Sequence, residues 1–165
     1  MNSFLAAISV VPNNIYYDMS KGIGRKLSTM AQTYVMAYVY KEQAPKLDMH
    51  MLIASAICTQ QKKMGKKLGD DSCIKLPMAI ARFGSEEKFQ EGIFSQPERD
   101  FLRLLDRRDL CDKTSLIILA RILNRCLAEK IPVDYVSLYY DLLNWNAEIK
   151  LKWENQFAKS ILYNN

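Results

Sequence analysis

An all-α, two-lobed bundle of roughly seven to nine helices is the fold this sequence predicts, and three observations predict it. Apolar residues recur at three- and four-residue steps in the longer segments, as one helix face requires. Six glycines and five prolines in 165 residues leave few strand-turn-strand signals. Ser, Asp or Asn stands directly before several of the apolar-periodic runs, where a helix N-cap belongs. Abundant Leu, Ile, Met, Ala, Lys and Glu favour helix, with Tyr and Val as the main counter-signal.

The elements follow in order. The first 20 residues read as a short apolar helix and a turn at Pro12-Asn13-Asn14. After Lys21-Gly-Ile-Gly-Arg-Lys-Leu27 a long helix is expected through about Glu42, with Leu27, Met30, Ala31, Tyr34, Val35, Tyr38 and Val39 on one face. Pro45 ends it, and Asp48 is the expected N-cap of a helix from Met49 to about Met64. The stretch 61–72, with four lysines and two glycines, reads as an exposed basic loop. It is a natural seam between lobes at 1–70 and 71–165 of a single compact chain.

Short helices are expected at Leu76–Phe83 and, capped by Ser85, from Glu86 to about Ile93. Ser95-Gln-Pro-Glu98 fits a helix start twice, as a capping box and as Pro in the first turn. Asp112 caps Lys113 to about Ala128, with Leu116, Ile117, Leu119, Ala120, Leu123 and Leu127 inward. Asp134 caps the tail, where Leu138, Leu142, Trp145, Ile149, Trp153, Phe157 and Ile161 form one stripe. A kink is expected at Asn144-Trp-Asn146, with Asn146 capping the second segment. On this reading both indoles are buried anchors.

Hydrophobic residues make up 49% of the chain, ample for a core, so a disordered protein is excluded. The net charge is +5, unevenly spread. Residues 1–82 hold 11 Lys/Arg against 5 Asp/Glu, and residues 83–165 hold 12 against 13. A positive half beside a near-neutral one suits a polyanion partner, and ordinary solubility charge stands as the other reading. Cys58, Cys73, Cys111 and Cys126 show no C-x-x-C spacing and His50 is the only histidine, so no zinc or other metal site is expected. Phe4–Val11 is short and lacks a preceding basic residue, and no run of 18 apolar residues exists. A cytoplasmic protein with reduced cysteines, no cofactor and no membrane contact is expected.

No catalytic set emerges. His50 shows no partner and reads as structural or surface. Lys21-Gly-Ile-Gly-Arg-Lys26 lacks the longer phosphate-loop pattern, and the pairs Asp70-Asp71 and Asp106–Asp109 lack metal-ligand spacing. The cations are the better signal. Lys21, Arg25 and Lys26 form one cluster, and Lys62, Lys63, Lys66 and Lys67 another, in which the loop lysines are the weaker candidates. Arg121 and Arg125 lie one helical turn apart on a polar face, and Lys150 and Lys152 flank the final apolar stripe. Such cations are what contact with phosphates needs, and a solvated charged face is the alternative.

In the tail, Pro132-Val-Asp-Tyr-x-x-Leu138, Asp141-Leu-Leu-x-Trp145 and Trp153-x₃-Phe157 follow in order. Together they resemble the C-terminal signature of the CasB family, the small subunit of the type I-E CRISPR Cascade complex. Glu98-Arg-Asp-Phe-Leu-Arg-Leu-Leu105 is similar to the family's basic-aromatic-leucine helix. Leu76-Pro-Met-Ala-Ile-Ala81 looks like its small-residue segment, with Pro77 where glycine is usual, and Lys21–Leu27 resembles its N-terminal glycine-basic turn. The resemblance spans about residues 20–160 and concentrates in 98–157.

It implies a non-catalytic architectural protein that packs head-to-tail with a second copy and contacts the backbone and large subunits. The basic surfaces would help hold the guide RNA–target DNA hybrid and the displaced strand of the R-loop. Base pairing reads the sequence, so the protein needs cations and no base-reading motif. A helical protein–protein adaptor without nucleic-acid binding is the alternative. A sequence-specific regulator lacks a helix-turn-helix spacing, and an enzyme lacks a catalytic set.

Overall fold

The computed structural model describes residues 2–163. Among these are ten α-helices, eight of them seven residues or longer, and no strand beyond one parallel bridge between Ile74 and Val133. They are α1 (Ser3–Ser9), α2 (Asn13–Met19), α3 (Thr29–Ala37), α4 (Leu47–Met64), α5 (Leu76–Ala81), α6 (Glu86–Gln90), α7 (Gln96–Leu105), α8 (Lys113–Ala128), α9 (Tyr135–Leu143) and α10 (Ala147–Tyr163). A 3₁₀ turn, Lys41–Lys46, leads into α4. The all-α bundle is as the apolar periodicity predicts.

α4 is the central helix. Every residue from Leu52 to Gln60 is buried, which happens only when a helix is covered on all sides. α1, α2 and α3 pack on it from one direction, α8 and α9 from another. Its buried polar groups are satisfied. The Ser55 hydroxyl donates to Leu52 O, and that of Thr59 to Met19 O. Gln60 pairs with both backbone groups of Val133: Nε2 donates to its carbonyl at 3.0 Å, and Oε1 accepts from its N–H at 2.8 Å. Ile74 N–H donates to Pro132 O and Asp134 N–H to Ile74 O, each at 2.8 Å. These bonds tie the crossing segment and the start of the tail to the central helix.

In the second half, α7 packs on α8, and α5 sits between α7 and α10. Trp153, 1% exposed, stacks on Phe101 with centroids 5.8 Å apart, and Phe157 lies 5.1 Å from the same ring. Removing an indole so placed costs about 3–5 kcal/mol. The indole N–H donates to Asp141 Oδ2 at 2.7 Å, so its polar tip is not orphaned. Buried residues from Phe4 to Ile161 form one continuous cluster.

The local signals hold at most helix starts. Ser95 and Glu98 form the capping box, Asp112 accepts from Ser115 N–H, Asp134 from Ser137 N–H, and Asn146 from Ile149 N–H where the tail kinks. The capping box also explains Gly84. A Cβ there would run into the buried Glu98 carboxyl group, with Cδ only 2.8 Å away.

Other expectations need correction. Pro12 is the N-cap of α2, so Asn13 and Asn14 begin a helix instead of a turn, because Ile15 and Met19 give that segment a buried face. α3 stops at Ala37. Only Ala31 and Val35 of it are buried, Met30 and Tyr38 are exposed, and Tyr40 is extended before the chain turns back. Pro45 lies inside the 3₁₀ turn. α4 therefore continues from a turn that is already wound, and Asp48 sits in its first turn without capping it.

α4 extends through Met64, so Lys62 and Lys63 belong to its last turn, where cations favour the helix dipole, and Gly65 closes it at φ 67°. Gly92, at φ 73°, follows α6, which ends at Gln90. On α8 the inward stripe includes Ile118, Ile122 and Cys126, while Ile117 points outward at 53% exposure. Trp145 is half-buried, with its N–H donating to Arg107 O at 3.2 Å.

Candidate nucleic-acid interface

The loop from Lys21 to Leu27 is held from beneath by packing and hydrogen bonds. Ile23 and Leu27 are buried, and Gly24 adopts φ 80°, a conformation suited to glycine. Its missing Cβ would stand 3.2 Å from Ala120 Cβ on α8. Gly24 N–H donates to Ser55 Oγ on α4 at 3.4 Å, and Asn124 Nδ2 on α8 donates to Ile23 O at 3.2 Å. At the far end Ser28 N–H donates to Asp18 Oδ2 at 2.9 Å. That backbone hydrogen bond holds the Asp18 carboxyl below the usual carboxylate range. The apolar side chains thus face inward, while Arg25 and Lys26 are exposed.

Beside the loop lies a cleft of about 380 Å³ between α4 and α8. Arg25, Lys26 and Lys113 line it with the apolar side chains of Met51, Leu52, Leu116 and Ile117. None of these three cations has a carboxylate within ion-pair distance among the described residues. Ile117 also lines the adjoining groove between α7 and α8, with Arg103, Arg107 and Arg121. A cationic strip therefore crosses the outward face of α8 from the loop to α7.

The cations of that groove are differently held. Arg121 Nη2 lies 3.1 Å from Asp100 Oδ1, and Arg103 Nη1 3.6 Å from the same oxygen. The Asp100 side chain is only 5% exposed and also accepts from Gln96. Arg107 Nη2 pairs with Asp112 at 3.1 Å, and its buried Nε has no hydrogen-bond partner among the described residues. The Asp112 carboxyl is held below its usual range first by the Ser115 N–H it caps, with Arg107 adding to the effect.

The remaining predicted cations divide. Lys21 pairs with Asp18 at 3.7 Å, and Lys21 and Lys62 both stand over the exposed Tyr17 ring, 5.3 and 5.4 Å from its centroid. Lys63 lies with Lys66 and Lys130 around a smaller hollow beside Pro132. Arg125 lies over Phe83 at 5.9 Å, off the Asp100 cluster. On α10, Lys150 pairs with Glu154 at 3.9 Å and Lys152 with Asp141 at 2.7 Å. These two share no cleft with the loop.

Lys113, Arg103, Arg107 and Lys130 are not among the cations singled out from the sequence. Lys113 had a signal: with Ile117 and Arg121 it repeats every four residues on one helix face. Lys130 had none, since its place around the same hollow as Lys63 follows a turn at φ 55°.

His50 is fully buried, its Nδ1 2.8 Å from Lys46 O and its Nε2 2.9 Å from the Tyr139 hydroxyl. Burial pushes its pKa down. Cys58 and Cys126 are pushed up to about 12 and Cys111 to about 11, all by burial, so these thiols stay protonated and unreactive. No group of metal-ligating side chains forms among the described residues, and no helix there is long and apolar enough to cross a membrane.

The family model described as CRISPR-associated protein Cse2 matches residues 18–157. No curated protein and no solved structure matches the chain.

Proposed function

The chain belongs to the family described as CRISPR-associated protein Cse2 and is a subunit of the CRISPR Cascade complex, and from that premise we propose that it is a nucleic-acid-holding part of the assembly. It binds phosphate backbones without sequence preference, steadying the guide RNA–target DNA hybrid and the displaced strand. It works in the cytoplasm beside the backbone and large subunits and a second copy of itself. It performs no cleavage. In support, its single histidine is buried and its two ring nitrogens are both engaged within the fold.

The observation that carries this reading is the loop Lys21–Leu27, which holds Arg25 and Lys26 exposed, unpaired and close to Lys113. A phosphate reaching these groups displaces no carboxylate, and the loop backbone is ordered in advance. The test is a salt series with single-stranded DNA and with an RNA–DNA hybrid, comparing the wild type with Arg25→Glu/Lys26→Glu. The double variant is expected to bind about 100-fold more weakly at low salt, with a shallower dependence of log K on log salt. Its melting temperature should be unchanged. Equal binding by the two proteins would remove the loop from the interface.

The second reading, a protein–protein adaptor, draws on a different surface. Leu27 to Tyr40 contains no charged residue, and Met30, Met36, Tyr38 and Tyr40 are exposed there. An adaptor alone would show no salt-sensitive retention of either nucleic acid.

A further inference from the structure

The cleft between the loop and α8 has more than cations. Its walls are Met51, Leu52, Leu116 and Ile117, more apolar surface than phosphate binding alone requires. Two hydrogen-bond acceptors also line it. Among the described residues the Asp48 carboxylate has no hydrogen-bond or ion-pair partner, and Gln32 spends its Nε2 on Leu27 O at 2.8 Å while its Oε1 accepts from no described group. A flat apolar ring bearing an N–H₂ group and attached to a phosphate would match all three features. Its faces would meet the apolar walls, its amine the Asp48 carboxylate or Gln32 carbonyl, and its phosphates Arg25, Lys26 and Lys113.

We propose that this cleft receives one unpaired nucleobase, preferentially an amine-bearing one (adenine, cytosine or guanine), from a strand whose backbone runs over the loop. The proposal rests on the nucleic-acid reading above and adds to it a base subsite. The strand concerned is single-stranded at that point, since a paired base offers neither face nor Watson–Crick edge. Charge complementarity selects the occupant: cations without carboxylate partners surround the apolar walls.

The test uses the full chain and three probes: a short single-stranded DNA of mixed sequence, the same strand with abasic sites throughout, and free mononucleotides. The intact strand is expected to bind at least about fivefold more tightly than the abasic one, as loss of base–side-chain stacking predicts. AMP and CMP should shift the methyl NMR signals of Met51 and Ile117, UMP less so, and ribose 5-phosphate hardly at all. Ile117→Ser, at an exposed position, should abolish the difference between intact and abasic strands and leave the fold unchanged. Asp48→Asn should erase the preference of CMP over UMP.

Equal affinity for both strands, or equal shifts with ribose 5-phosphate, would overturn the base subsite and leave backbone binding standing. Binding by neither strand at low salt would overturn both.

Discussion

Arg25 and Lys26 of the loop and Arg121, Lys150 and Lys152 of α8 and α10 are all surface cations, but they are held in opposite ways. In the loop the backbone is pinned by Ile23, Gly24 and Leu27, and among the described residues Arg25 and Lys26 meet no carboxylate. On α8 and α10 the backbone is regular helix, and Arg121, Lys150 and Lys152 each lie 3.1, 3.9 and 2.7 Å from an acidic oxygen. An incoming phosphate must compete with that oxygen. A basic residue in a sequence is therefore only a candidate, and its value as a ligand depends on what already occupies it.

Four changes break or sharpen this contrast. Asp100→Ala has the largest expected effect on stability, about 2 kcal/mol in urea unfolding, because a buried acceptor of charged and amide donors is lost. The same variant frees Arg121 and Arg103, so affinity for single-stranded DNA should rise about threefold. Unchanged affinity would mean that the α7–α8 groove takes no part in binding.

Gly24→Val attacks the loop from beneath. Positive φ and the close Ala120 contact should cost about 1–2 kcal/mol, with about a tenfold loss of DNA affinity although no cation is removed. Retained affinity would show that the backbone order of the loop is irrelevant.

A pH series then separates core from surface, since Lys and Arg do not titrate between pH 5 and 7. The folded state holds the His50 pKa below the ordinary 6.5. Below that pH the unfolded chain takes up a proton that the folded one refuses, so stability falls as pH drops from 6.5 toward the folded pKa. The loss should grow steadily below pH 6.5, and His50→Gln should flatten it while leaving DNA affinity intact.

Lys152→Ala should do least. Its half-exposed pair with Asp141 is worth well under about 1 kcal/mol, and Asp141 keeps its bond to the Trp153 indole. DNA affinity should change less than about twofold; a larger drop would put α10 back among the binding surfaces.

Much of the helical framework was legible in the sequence because its signals are local. Ser95 with Glu98, Asp112 with Ser115, Asp134 with Ser137 and Asn146 with Ile149 all act three residues apart. The apolar stripe from Leu138 to Ile161 is a consequence of the helical repeat, and the ordered tail pattern carries the family resemblance. The errors fell where propensity meets tertiary demand. α3 had to end early to let the chain turn back into α4, and α8 rotated Ile117 outward to bury Ile118 and Cys126.

The sequence by itself determined that this is an all-α chain, where most helices start, which family it belongs to and which residues carry positive charge. Tertiary structure alone decided which charges are available. Asp100 reaches Arg121 across 21 positions, Gln60 holds Val133 across 73, and Gly24 rests on Ala120. A cap or a stripe repeats within one or two turns and is written in neighbouring residues. An ion pair, a pinned loop or a cleft depends on where distant segments meet, and only packing brings those segments together.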